Sequence, residues 1–126
     1  FSTPHLIGER IDTDTDQLRW ARGYDHTYIL DKELGKLAIA SRCSSPKTGI
    51  VMEVYTDQPG VQLYTGNWMS GNLRGKHDHR YPARAALCLE TQHYPDSPNK
   101  PEYPSTRLNP GETFRSTTIF RFTLEA

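Results

Sequence analysis

The sequence has few cysteines, no long apolar run and no excess of charge of one sign. Its two cysteines, Cys43 and Cys88, are too few for a disulfide framework and are not spaced like zinc ligands, so we expect reduced, buried thiols. No apolar run approaches the roughly 20 residues of a membrane-spanning helix. The 15 lysines and arginines balance 15 aspartates and glutamates, whereas proteins that bind phosphate backbones normally carry a basic excess. Neither nucleic acid nor a membrane is therefore expected as a partner.

The N-terminus also lacks familiar features. The chain begins at Phe1 without an initiator methionine, a basic segment or the apolar core of a signal peptide. We therefore expect that processing removed a segment or that the chain is a piece of a longer one. Its 126 residues suit one domain or part of a larger domain. This end does not identify the compartment, for which the cytoplasm is favoured over the periplasm.

Apolar residues that recur at every second position are what the sequence does contain. Phe120, Phe122 and Leu124 are an example, and this period is typical of half-buried strands. The predicted strands are 26–30, 37–40, 50–55, 61–65, 85–92 and 119–124. Turn signals separate them, and residues 12–16 are expected to form a turn or a single helical turn. About six short strands without a convincing helix predict an all-β fold, an antiparallel β-sandwich or part of one.

Two long stretches interrupt this pattern. Residues 67–82 are rich in Gly, Asn, Lys and His, and residues 94–111 contain five prolines. We expect both to be loops, and loops of this length in a compact domain are usually functional. They flank the predicted strand 85–92, which carries Glu90.

Glu90 is the first candidate for chemistry. It alternates with Leu87 and Leu89, so leucines that face the core would leave the Glu90 carboxylate on the opposite face of the strand. A carboxylate on a rigid strand can act as a general base. The alternative is a structural glutamate paired with an arginine such as Arg84.

Asp25 and Gln62 are candidates for binding hydroxyl groups. Asp25 precedes a predicted strand, where its two oxygens could accept hydrogen bonds from a sugar, or could bond their own backbone in a turn. Gln62 lies between Val61 and Leu63, so its amide projects from the other face, toward a ligand or toward solvent.

Histidines and aromatic residues give weaker signals. The sequence His77-Asp78-His79 resembles a metal motif but lacks a third ligand, so no metal site is predicted. The side chains able to stack on a sugar ring, which in a sandwich are more often core residues, are Trp20, Tyr64, Trp68 and Tyr94.

Long sequence segments carry a resemblance to a known family. The segments are 23–26 (Gly-Tyr-Asp-His), 51–67 with its Pro-Gly-Val-Gln, 88–92 (Cys-Leu-Glu-Thr-Gln), 94–99 and 108–112. In this order they resemble the C-terminal portion of the aldose 1-epimerase (galactose mutarotase) family. The resemblance implies that residues 1–126 are the C-terminal portion of a single β-sandwich domain, a galactose-mutarotase-like supersandwich.

The resemblance also implies an activity. Members of this family interconvert the α and β anomers of free hexoses such as glucose or galactose, without cofactor or metal. It identifies Glu90 as the general base and Asp25 and Gln62 as substrate-binding residues. The family's general-acid histidine lies in a motif upstream of this sequence, so the chain alone is expected to be inactive. A free hexose and the missing N-terminal part, in the same polypeptide or as a separate chain, are the expected partners.

A carbohydrate-binding β-sandwich module of a larger glycosidase-type protein is the alternative. Such a module needs aromatic platforms but no glutamate base. Convergence of Asp25, Gln62 and Glu90 in one cleft would favour the enzyme.

Overall fold

The computed structural model describes residues 1–125, and within them the chain is built mainly from antiparallel strands. The all-β fold class predicted from the sequence is confirmed. Ala126, the last residue of the predicted domain, lies outside the described residues. The strands are β1 (Asp25–Ile29), β2 (Ala38–Ser44), β3 (Ile50–Thr56), β4 (Gly60–Tyr64), β5 (Ser70–Arg74), β6 (Arg80–Pro82), β7 (Cys88–Gln92) and β8 (Thr118–Leu124).

The few helical segments are short. Helix α1 spans Asp16–Ala21, and the single turns of 3-10 helix are Ile7–Glu9, Lys76–Asp78 and Ser97–Asn99. No helix within residues 1–125 is long and apolar enough to cross a membrane.

The strands form three sheets, with the orders β1-β4-β7, β2-β3-β8 and β5-β6. The chain divides into two compact units. The first unit contains Phe1–His26 and Gln62–Leu89, and the second contains Thr27–Val61 and the described residues from Glu90 onward.

The first unit has a small core around the end of α1. Its buried apolar side chains are Ile11, Leu18, Tyr24 and Leu63. Helix α1 ends at Ala21. The next residue, Arg22, adopts a left-handed backbone conformation (φ 59°), and the Gly23 N–H donates to the Leu18 carbonyl at 3.0 Å. Such an end satisfies a free carbonyl of the last turn and redirects the chain into β1.

The second unit is organised by β3, the central strand of its sheet. Strand β3 pairs antiparallel with β2 on one side and with β8 on the other. Val51, Val54 and Thr56 of β3 are almost completely buried. On β8, by contrast, Phe120, Phe122 and Leu124 are at least half exposed, so one stripe of this sheet presents apolar side chains to solvent.

Strand boundaries differ in part from the prediction. Strand β2 extends to Ser44, beyond the predicted end at residue 40, because residues 41–44 continue the ladder against β3. Strand β7 begins only at Cys88, since Ala85 N–H closes a turn onto the Pro82 carbonyl. The thiols are free, but the expectation that they are buried is wrong: Cys43 is half-buried and Cys88 is exposed.

Two elements arise where the sequence predicts none. Residues 67–82, expected to be a loop, contain the β5-β6 hairpin, whose strands are polar and carry no buried side chain to produce an alternating pattern. Helix α1 begins at Asp16, the last residue of the predicted turn at 12–16. Its six residues bury only Leu18, and one buried residue is too few to reveal a 3.6-residue period.

Candidate functional site

Asp25 and Gln62 meet in the first unit. The Gln62 side-chain N–H donates to an Asp25 carboxylate oxygen at 2.6 Å. Asp25 is exposed at the first residue of β1, and Gln62 is half-buried on β4 between the buried Val61 and Leu63. The Asp25 side chain therefore pairs with the predicted binding amide, and its second oxygen is available to accept a hydrogen bond from a ligand hydroxyl.

The backbone around Asp25 is fixed by the neighbouring residue. Tyr24 N–H donates to the Thr65 hydroxyl at 3.1 Å, and Thr65 N–H donates to the Tyr24 carbonyl at 3.1 Å. The Asn67 amide donates to that same carbonyl at 2.9 Å. Because all three of these side chains are buried, the entrance of β1 is held in one register against the end of β4.

Glu90 lies on β7 in the second unit. It is exposed, whereas its strand neighbours Leu89 and Thr91 are half-buried, in agreement with the predicted alternation. Within residues 1–125, the Glu90 side chain makes no hydrogen bond or ion pair. The prediction that Asp25, Gln62 and Glu90 line one groove stays a prediction.

Arg84, proposed above as the structural partner of Glu90, instead forms a two-pronged pair with Asp12. Its guanidinium donates to the two Asp12 oxygens at 3.0 and 2.5 Å and to the Arg22 carbonyl at 3.1 Å. The hydrogen bond from Arg84 lowers the pKa of Asp12, and the same bond raises the pKa of Arg84. The pair therefore stays ionised and ties the segment before α1 to the segment before β7.

Two surface depressions in the first unit lie near this ion pair. One, of about 300 Å³, is lined by Ile11, Asp12, Thr13, Asp14, Leu18, Arg19, Arg22 and Arg84. The other, of about 500 Å³, is lined by Ile7, Gly8, Ile11, Thr65, Arg84, Ala85, Ala86 and Leu87. Neither depression is lined by Asp25 or Gln62, so this hydrogen-bonded pair lies outside both.

A polar network that the sequence does not reveal lies in the second unit. The Asp57 carboxylate accepts hydrogen bonds from the Gln58 amide at 3.3 Å, the Ser116 hydroxyl at 3.0 Å and the Thr117 N–H at 2.8 Å. The Gln58 side-chain oxygen lies 2.8 Å from Nδ1 of the His93 ring, within hydrogen-bond distance. The residues are separated by up to 60 positions, so no local pattern could have predicted the contact.

Three of the five histidines, which are His5, His26 and His93, have ring nitrogens within hydrogen bonds. His26 Nδ1 accepts a hydrogen bond from the Asp25 N–H at 2.9 Å, and His5 pairs with Glu9 at 3.1 Å. His77 has a left-handed backbone conformation (φ 55°) beside Asp78, which pairs with Arg74. In the described part of the chain, no three His, Cys, Asp or Glu side chains are grouped so that they could hold a metal ion.

The fold places the chain among all-β proteins built from antiparallel sheets, and comparison with known proteins identifies the family. The family model described as aldose 1-epimerase matches residues 1–121. A solved structure, the GalM/aldose epimerase homologue from C. elegans, superimposes with a TM-score of 0.70 at 26% identity, over 80% of this chain and 30% of that one. The chain belongs to the aldose 1-epimerase family.

Curated relatives agree with this assignment. Galactose mutarotase of Mus musculus is 46% identical over 102 residues, which cover 81% of this chain and 30% of the relative. Aldose 1-epimerase of Escherichia coli (strain K12) is 34% identical over 128 residues, which cover 99% of this chain and 36% of the relative. The chain thus spans about a third of the length of the curated relatives that it matches.

Proposed function

We propose that this chain supplies the general base and part of the sugar-binding site of an enzyme that interconverts the α and β anomers of free hexoses such as glucose or galactose. The observation that carries the proposal is the Asp25–Gln62 hydrogen bond in a chain that belongs to the aldose 1-epimerase family. A carboxylate that accepts hydrogen bonds and an amide that both donates and accepts them, held at one place, suit the vicinal hydroxyls of a hexose.

Glu90 is proposed as the base. Its carboxylate takes the proton of the anomeric O1 hydroxyl while an acid protonates the ring oxygen, and the C1–O5 bond breaks as the C1 carbonyl forms. Rotation about C1–C2 exposes the other face of the aldehyde, and O5 then adds to C1 as both protons return. No redox partner, metal or cofactor is needed, and each positioned group contributes about 10²- to 10⁴-fold.

The acid is proposed to come from outside this chain. None of the histidines, which are His5, His26, His77, His79 and His93, lies in the family's motif for that residue. The rest of the fold, carried in the same polypeptide or as a second chain, would then supply the acid and further contacts to the sugar. We use "complete protein" below for this chain together with that remainder.

The second unit offers a surface for that remainder. Phe120, Phe122 and Leu124 of β8 lie opposite Val54, Met52 and Ile50 of β3, so their side chains form a continuous apolar stripe. Phe122 is 64% exposed and Leu124 is 76% exposed. A stripe of this kind is normally covered in a stable protein, and the remainder of a fold about three times longer is its proposed cover.

Polarimetry on freshly dissolved α-glucose or α-galactose tests the proposal. We expect the complete protein to accelerate the change in rotation, and residues 1–126 alone to show only the spontaneous rate, because a base without its acid loses one contribution and much of the orientation. The isolated chain should also aggregate through its uncovered stripe.

Two results would contradict the proposal. Full activity from the soluble isolated chain would mean that one of its own histidines is the acid. Sugar binding by the complete protein without any acceleration would favour a carbohydrate-binding module instead.

A further inference from the structure

Two tryptophans of the first unit are exposed rather than buried in a core. Trp68 is 55% exposed, and Trp20 on α1 is 69% exposed. An exposed tryptophan leaves a large apolar surface in contact with water. A tryptophan whose ring is fixed by contacts is therefore a better candidate for binding a ligand than one whose ring has no contact. The two differ in this respect, because only Trp68 has a ring contact among residues 1–125.

Trp68 is held from two sides. Its backbone N–H donates to the Tyr64 hydroxyl at 3.2 Å, and the Arg22 guanidinium carbon lies 4.4 Å from the centroid of the indole ring. The preceding residue, Asn67, is buried and bonded to the Tyr24 carbonyl at 2.9 Å and to the Thr65 hydroxyl at 2.6 Å. The turn thus presents a pre-oriented ring, more than half of whose residue surface remains open.

Tyr64 connects Trp68 to the strand that carries Gln62. The Thr65 N–H donates to the Tyr24 carbonyl at 3.1 Å, so Asp25 and Tyr64, each adjacent in sequence to one partner of this bond, lie near one another on β1 and β4. Gln62 and Tyr64, two residues apart on β4, point to the same face. The hydroxyl that anchors Trp68 therefore belongs to the side chain next to the sugar-binding pair.

We propose that Trp68 is a specificity-determining residue that stacks on the apolar C–H face of the hexose whose hydroxyls Asp25 and Gln62 bind. The inference rests on the proposed function, since it concerns the same sugar site. The face of an indole ring is electron-rich and attracts C–H groups, which carry a slight positive charge. A flat ring therefore favours a sugar whose C–H groups are gathered on one side.

The orientation of the O4 hydroxyl decides how well a hexose can stack. In galactose, O4 is axial, and the hydrogens on C3, C4 and C5 face the same side of the ring. In glucose, O4 is equatorial, and the hydrogen on C4 faces the opposite side. Stacking on Trp68 should therefore contribute more to binding of galactose than of glucose.

Variants of the complete protein test this inference. Trp68→Leu keeps apolar bulk but removes the flat ring, so KM for α-galactose should rise about fivefold, with a smaller rise for α-glucose and kcat changed by less than about twofold. Trp68→Phe keeps a flat ring and should restore most of the galactose preference. Trp20→Leu is the matched control and should leave both KM values unchanged.

Fluorescence gives a readout that does not depend on turnover. Galactose binding should change the tryptophan emission of the parent protein and of Trp20→Phe, and the change should be lost in Trp68→Phe. If Trp68→Leu fails to fold, the fluorescence of Trp68→Phe and Trp20→Phe still tests whether Trp68 contacts the bound sugar.

The outcomes separate the inference from the proposed function. A parent protein that interconverts hexoses, with unchanged KM values in Trp68→Leu or an equal rise for both sugars, would overturn the role of Trp68 alone. A parent protein that neither binds nor interconverts hexoses would overturn the proposed function, and this inference with it.

Discussion

The pKa of Asp57 depends on contacts that exist only in the folded state. Burial alone would raise the pKa of its carboxyl, but hydrogen bonds from Gln58, Ser116 and the Thr117 backbone hold the pKa below its ordinary value of 3.8. A carboxyl with a lowered folded-state pKa stabilises the fold fully above the unfolded-state pKa. That stabilisation is lost as the pH falls through the folded-state pKa.

The free energy of unfolding of the complete protein should therefore decrease between about pH 5 and pH 2. Asp57→Asn should destabilise the protein at neutral pH and remove part of this decrease, because an asparagine side chain at this position cannot titrate. Urea unfolding at several pH values measures both effects. Asp31→Asn is the control, since Asp31 is exposed and makes no hydrogen bond or ion pair within residues 1–125. If the free energy of unfolding decreased toward low pH by the same amount in Asp57→Asn and in the parent, this account would be contradicted.

Among the elements, the junction between α1 and β1 is the most constrained. Gly23 has a φ of 145°, and a Cβ atom built on it would lie 2.4 Å from the Asn67 side-chain oxygen. Asn67 cannot move away without losing its hydrogen bonds to the Tyr24 carbonyl and the Thr65 hydroxyl. The same bonds hold the backbone next to Asp25 and Trp68, so this junction links the stability of the first unit to the residues that we propose bind the sugar.

Gly23→Ala should consequently lower the free energy of unfolding of the complete protein by about 2 kcal/mol or more. Gly8→Ala is the matched control, because no heavy atom lies within 4 Å of its added methyl group, and it should change stability by less than about 0.5 kcal/mol. Denaturant unfolding of the two variants measures the difference. Equal stability of Gly23→Ala and the parent would contradict the close contact with Asn67.

The predictability of the elements depended on burial. Strand β3 could be predicted because a buried strand carries apolar residues at regular positions, and β8 because its phenylalanines alternate. The β5-β6 hairpin could not, since hydrogen bonding alone forms its ladder and every side chain of β6 is exposed. Helix α1 was missed because one buried leucine sets no period.

The candidate site was predictable only through whole sequence segments. Periodicity placed Gln62 and Glu90 on strand faces, but the contact between Gln62 and Asp25 joins positions 37 residues apart. The same holds for Arg84 and Asp12, which are 72 residues apart and whose pairing rules out the alternative in which Arg84 pairs with Glu90. Long-range pairs of this kind follow from the fold and leave no local signal.

At the scale of the whole molecule, the chain combines well-paired strands with an incompletely covered apolar surface. The two β8 phenylalanines are half or more exposed although they alternate like core residues. Their pattern suits a face covered by further strands, in keeping with relatives about three times as long. The central claim, that Glu90 is the base in an aldose 1-epimerase site, therefore has to be tested in the complete protein.

The most direct measurement is polarimetry of the complete protein and its Glu90→Gln variant on freshly dissolved α-galactose. Glutamine keeps the shape of the side chain but cannot take the O1 proton, so kcat should fall at least about 10²-fold while sugar binding is largely retained. Glu102→Gln, which alters an exposed glutamate without a hydrogen bond or ion pair in the described residues, should keep parental activity. Near-normal turnover by Glu90→Gln would contradict the assignment of Glu90 as the base.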